Sequence, residues 1–141
     1  MLISLTLRYL GESLDPEVIT STLGVSPTEC RVKGEKVVSP RGKVRIIKKG
    51  YWEWSVKNDC SDLPEKIDES VIQLDKLVAD FDAIFHDVIG LLNTPLNCEH
   101  SWIDIHIVSD ETGASVSFPL SNKSMSILGK TGLLVDFTIT K

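Results

Sequence analysis

Ile3, Leu5, Leu7 and Tyr9 alternate with Ser4, Thr6 and Arg8, and this period of two predicts a strand buried on one face over the first ten residues. The pattern then changes. Asp15-Pro16-Glu17 supplies a capping carboxylate, a proline suited to the first helical position and an acid for the positive end of a helix. Gly24 ends that helix after about two and a half turns, with Val18, Ile19 and Leu23 as its expected core residues. From Cys30 to Val38 and from Lys43 to Lys49, two extended arms are expected around the turn tetrapeptide Ser39-Pro40-Arg41-Gly42. Beyond Gly50, Trp52, Trp54 and Val56 share one strand face while Tyr51, Glu53, Ser55 and Lys57 take the other, so both tryptophans are expected to point inward.

The longest element follows. Asp62 can cap a helix whose apolar residues Leu63, Ile67, Val71, Leu74, Val78, Phe81, Phe85, Val88 and Leu92 recur at intervals of three and four. A helix over about 63–92 would span ~45 Å, and it is expected to bend or to break near Gly90. Ser101 to Val108 and Ala114 to Leu120 read as strands joined by the turn Asp110-Glu111-Thr112-Gly113, Ser121 to Leu128 as a short capped helix, and Leu133 to Thr140 as the last strand. The order β-α-β-β-β-α-β-β-α-β predicts a single α+β domain over residues 1–141. It is a two-layer arrangement in which a mainly antiparallel sheet carries one long and two short helices on one face.

Composition supports a packed core. Of 141 residues, 42% are apolar and 25% charged, far from the mixture of disordered chains. The first ten residues lack a leading positive charge, and no apolar run approaches the ~18 residues of a membrane span, so a soluble chain with no membrane contact is expected. Cys30, Cys60 and Cys98 are an odd count without C-x-x-C spacing, which fits ordinary thiols in a reducing cytoplasm. The net charge of −5 is unevenly spread: Arg31 to Lys49 carries +7, leaving −12 on the rest of the chain.

Several of these residues together resemble a known family. Gly11, Leu14-Asp15-Pro16, Ile19, Leu23-Gly24-Val25, Pro27-Thr28, Lys33-Gly34-Glu35 and Gly50-Tyr51-Trp52-Glu53-Trp54 look like the opening of the domain of unknown function 4279. Leu120-Ser121, Leu128, Gly132 and Phe137 are similar to that family's C-terminal part, so the resemblance covers nearly the whole chain. It implies a mostly bacterial family without an established activity, and it supplies no catalytic residues. His100, Asp104 and His106 match no fixed pattern of that family.

The densest concentration of chemistry is Cys98 to His106, where alternation places His100, Trp102, Asp104 and His106 on one strand face. Two imidazoles and a carboxylate can hold a divalent metal, or Asp104 can orient His106 as a general base. Same-face neighbours lie about 6.6 Å apart along a strand, which is long for ligands of one zinc ion, and a solvated sheet face is the plainer reading. No serine sits in a G-x-S-x-G elbow. Gly129-Lys130-Thr131 lacks the upstream glycine of a P-loop and reads as a helix end. No catalytic residue, metal or other cofactor is expected.

Binding has two candidate surfaces. Lys43, Arg45 and Lys48 in the basic hairpin can steer an acidic partner, whereas nucleic acid is not expected, given the overall negative charge and the absence of aromatics inside the hairpin. The second surface gathers the polar side of every strand: Ser4, Thr6, Arg8; Glu53, Ser55; His100, Trp102, Asp104, His106; Ser115, Ser117; Asp136, Thr138, Thr140. With helices on one side of the sheet, this side is expected to be open, with an exposed Trp102 among hydrogen-bonding groups. The function expected is a non-catalytic protein-binding module of the immunity or antitoxin kind, acting on a protein partner or on a second copy of itself. An enzyme using His100, Asp104 and His106 is the alternative, and nucleic-acid binding through residues 31–49 is a third.

Overall fold

A computed structural model describes residues 2–59, 67–94, 96–108 and 119–140. The alternating first segment forms strand β1 (Leu2–Gly11), and the capping signals form helix α1 (Pro16–Leu23). The Asp15 carboxylate accepts from the backbone N–H of Glu17 at 3.0 Å. Gly24 closes the helix at φ +69°, a left-handed conformation that favours glycine, and its N–H donates to the Thr20 carbonyl. Ile19 and Leu23 are buried, but Val18 is exposed. A helix this short turns little more than one side to the sheet, and position 18 falls outside that stripe.

The basic segment differs from two continuous arms. Its start, β2 (Glu29–Arg31), joins the main sheet, and only β3 (Lys36–Val38) and β4 (Val44–Ile46) form the hairpin, a separate two-stranded sheet. The turn is held by Gly42 N–H donating to the Ser39 carbonyl and Lys43 N–H donating to Ser39 Oγ. At its base, Ile47 is buried and exchanges backbone hydrogen bonds with residues 34 and 35. Strand β5 (Gly50–Asp59) then lies antiparallel to β1 over its full length.

Helix α2 (Ile67–Phe85) is shorter than the periodicity predicts and passes into a 3-10 turn over His86–Leu91. The tighter turn contains Gly90, the residue there of lowest helical propensity, and it brings Leu92 into the core. Strand β6 (His100–Val108), helix α3 (Asn122–Lys130) and strand β7 (Leu134–Thr140) complete the described chain. Ser121 caps α3, its Oγ accepting from Ser124 N–H at 3.1 Å. Cys60, Asp62, Leu63 and the segment 110–118, with its turn, strand, Ser115 and Ser117, lie outside the described residues, as do the side chains of Ile67 and Val71.

Five strands form one sheet in the order β2-β5-β1-β6-β7. Three of the four pairings are antiparallel, and β7 runs parallel to β6. A parallel neighbour needs a crossover, and α3 lies in that connection. The fold is thus α+β, with one long helix and two shorter ones. Helices α1 and α2 pack on β5, α2 also on β1, and α3 against α2, so among the described residues the helices cover one side of the sheet.

The core lies between the layers. Ile3, Leu5, Leu7, Tyr9, Trp52, Ile103, Ile105 and Ile107 from the strands meet Ile19, Leu23, Leu74, Leu77, Val78, Phe81 and Phe85 from the helices. Trp52 has no solvent exposure and packs edge-on to Tyr9 at 5.8 Å, while its Nε1 donates to Thr20 Oγ1. Trp54 also turns inward but is half-buried, with its ring 5.1 Å from Phe85. The Tyr9 hydroxyl donates to the Leu92 carbonyl at 2.8 Å, and burial pushes its phenol well above the usual range.

Candidate functional site

Strand register converts the polar positions into rows across the sheet. One row runs Glu29, Glu53, Arg8, Trp102, Leu134 from edge to edge; the next runs Ser55, Thr6, Asp104, Asp136; a third runs Lys57, Ser4, His106, Thr138. All these positions alternate with core residues, so they share the side opposite the helices. This open face is the candidate site.

Arg8 stands at its centre. Its guanidinium faces two carboxylates, Nε lying 3.6 Å from Glu53 Oε1 and an Nη 3.6 Å from Asp104 Oδ2. Nε itself is buried and makes no hydrogen bond, because the Glu53 oxygen is too distant. Arg8 was visible in the sequence only as a polar residue of the right parity; its place between two acids comes from pairing β1 with both β5 and β6. Glu53 faces Glu29 across the β2–β5 ladder. Burial holds the Glu53 carboxyl above its ordinary range, Arg8 opposes the shift, and Glu29 and Asp104 add to it.

The row from His100 to His106 is one face of β6, as alternation predicts, but its members do not act on one another. Asp104 accepts from Thr138 Oγ1 at 3.4 Å in addition to facing Arg8, while His106 Nε2 meets Thr140 Oγ1 at 2.9 Å. Asp104 therefore does not orient His106. His100 is exposed at the strand's start, opposite Leu10. Among the described residues, no three histidine, cysteine or acidic side chains are grouped to hold a metal ion.

Trp102 is half-buried rather than exposed. In the middle of a sheet, neighbours on either strand shield the lower part of a large side chain even when nothing covers the face. Its register neighbours are Arg8 on one side and Leu134, 71% exposed, on the other. The two form an apolar spot within a surface otherwise made of Ser, Thr, His and carboxylates. Thr6 and Ser55 bond to each other through their hydroxyls at 3.0 Å, and Tyr51 donates to Glu29 at 2.8 Å.

The basic hairpin is a separate sheet, and its base meets Glu12 just after β1 and Glu99 just before β6. Lys43, Arg45 and Lys48 are all exposed. Cations at its base are neutralised: Arg31 by Glu35 at 3.0 Å, Lys33 by Glu12 at 3.7 Å, and Lys49 by Glu99 at 2.6 Å. The last contact holds Lys49 above, and Glu99 below, their ordinary pKa values. No helix of the described residues is long and apolar enough to cross a membrane.

A family model described as a domain of unknown function (DUF4279) matches residues 1–140. Neither a curated protein nor a solved structure matches the chain.

Proposed function

Because the chain belongs to the DUF4279 family of domains of unknown function, its role must be argued from its own surface, and we propose a non-catalytic protein-binding module of the immunity or antitoxin kind, acting in a bacterial cytoplasm. One observation supports this reading above the others. A broad sheet face is left uncovered by all three described helices, and it carries a tryptophan beside an exposed leucine next to rows of hydrogen-bonding groups. Such a face suits an interface: an apolar spot for affinity and adjoining polar rows for register.

The electrostatics agree. A charged Glu53, disfavoured by burial and by Glu29 and Asp104 nearby, carries a cost that Arg8 offsets only in part. A partner offering donors to Glu53 and Asp104 would lower that cost, so binding and the strained charges become one design. Tagged protein and a Trp102→Ala variant, both shown to be folded by urea denaturation, can be used to capture partners from the native cells. A protein retained by the parent and lost from the variant is the expected outcome. Equal retention by both would remove the open face from the argument.

A further inference from the structure

We propose that the partner of the open face includes a second copy of this chain, whose basic hairpin docks across Trp102; this rests on the open face being a protein-binding surface.

The hairpin separates into two parts by charge. The cations at its base each have an acid of the same chain, whereas Lys36, Arg41, Lys43, Arg45 and Lys48 are exposed and make no side-chain ion pair or hydrogen bond among the described residues. The distal hairpin therefore carries about five uncompensated positive charges. It is also apolar on one side. Register pairs Val38 with Val44 and places Ile46 beside them on the same face, and these side chains are 63%, 57% and 58% exposed. Three exposed β-branched residues on a two-stranded ribbon are unused contact area, and phosphate binding does not call for them.

The open face offers the complement. Its apolar spot, Trp102 with Leu134, reaches the β7 edge; Asp104 and Asp136 fill the adjoining row, and Glu53 lies beyond Arg8 in the same row. An apolar strip flanked by cations thus meets an apolar spot bordered on one side by a pair of acids. The two surfaces occupy different parts of one chain, so the contact joins unlike patches of two copies, and one copy's hairpin and face are separable by mutation.

That separability supplies the test. One variant reverses the hairpin (Lys43→Glu, Arg45→Glu, Lys48→Glu), and the other alters the face (Trp102→Ala, Asp136→Lys). Sedimentation velocity of the parent at low salt is expected to show concentration-dependent association that weakens as salt is added. Each variant alone should associate about 100-fold more weakly, because charge reversal places like charges together across the contact. Mixed in equal amounts, the two should recover a 1:1 dimer, since each keeps the surface the other has lost. If the face variant fails to fold, Leu134→Lys at an exposed position replaces it.

A parent that stays monomeric at every concentration overturns the proposal, as does a mixture that stays monomeric. Should the parent be monomeric while Trp102→Ala still abolishes capture of a foreign protein, self-docking fails and the protein-binding reading survives. If Trp102→Ala changes neither measurement, both fail.

Discussion

Trp52 and Trp102 occupy neighbouring ladders of one sheet, yet they face opposite ways. Trp52 is fully buried against Tyr9 and Thr20 under α1, with its indole nitrogen satisfied. Trp102 is half-buried between Arg8 and Leu134, with no described helix above it. The same side chain therefore belongs to two different energetic regimes. On the helix side the Trp52 indole and the Tyr9 hydroxyl both have partners and their rings are removed from water; on the open side Arg8 faces two carboxylates at 3.6 Å and a glutamate is shifted towards its neutral form. One side holds the core, and the other is the surface on which the proposed contact rests.

The sharpest way to break this contrast is to truncate both tryptophans. Trp52→Ala should cost ~3–5 kcal/mol in urea denaturation, because a large cavity opens in a packed core. Trp54→Ala should cost less, since its ring already meets solvent while touching Phe85. An unchanged midpoint for Trp52→Ala would mean that the strand's inward side has been misidentified.

Next in size is Tyr9→Phe. The hydroxyl is the bond that ties β1 to the end of the 3-10 turn through the Leu92 carbonyl, and its removal leaves a buried acceptor unpaired. A loss of ~1–2 kcal/mol is expected. Protection of the amides around residues 86–92 against hydrogen exchange should fall more than protection elsewhere. A variant as stable as the parent would show that water replaces the hydroxyl, and that this part of the core is wetter than it looks.

How much of the contrast was legible in the sequence differs between the two sides. Parity alone placed Trp52, Tyr9 and the isoleucines of β6 inward and Trp102 outward, because a period of two is a local property of a strand. Caps at Asp15, Gly24 and Ser121 were equally local. What could not be read was anything that depends on which strands are neighbours. The parallel pairing of β7, the loss of β2 from the hairpin to the main sheet, and Arg8 between Glu53 and Asp104 are all consequences of register across long separations. For the same reason His100, Asp104 and His106 read as a cluster along one strand, whereas the partners of Asp104 and His106 are on β1 and β7. The helix end is hidden on other grounds: Val88 and Leu92 continue the spacing of three and four, and over so few residues that spacing does not tell an α-helical turn from a 3-10 turn.

Trp102→Ala should have a smaller effect on folding than either core change. A half-buried side chain on an uncovered face is expected to shift stability by no more than about 1 kcal/mol, while an interface anchor contributes ~2 kcal/mol or more to association. Urea denaturation and sedimentation on the same preparation separate the two quantities. Severe destabilisation with association intact would place Trp102 in a core and dissolve the distinction between the faces.

The smallest expected effect, Glu53→Gln, tests whether the open face is strained. Burial is the largest influence on this carboxyl and raises it above its usual value of 4.5; Arg8 opposes the rise without cancelling it. A folded-state value above the unfolded one means that the native state favours the neutral acid. Its contribution to stability is then fully present below the unfolded value and declines as pH rises through the folded one. At neutral pH the charged form is therefore a net cost, even though an arginine stands 3.6 Å away. Glutamine is neutral at every pH, retains the shape and leaves Arg8 facing Asp104. Hence Glu53→Gln should be neutral or stabilising by up to about 0.5 kcal/mol at pH 7, and its advantage over the parent should shrink as pH falls towards 4. Paired urea titrations at the two pH values give the comparison. A loss of more than about 1 kcal/mol at pH 7 would mean that the Arg8–Glu53 pair outweighs its desolvation. The carboxylate would then be part of what holds the sheet together, and its presence on the open face would need no partner to account for it.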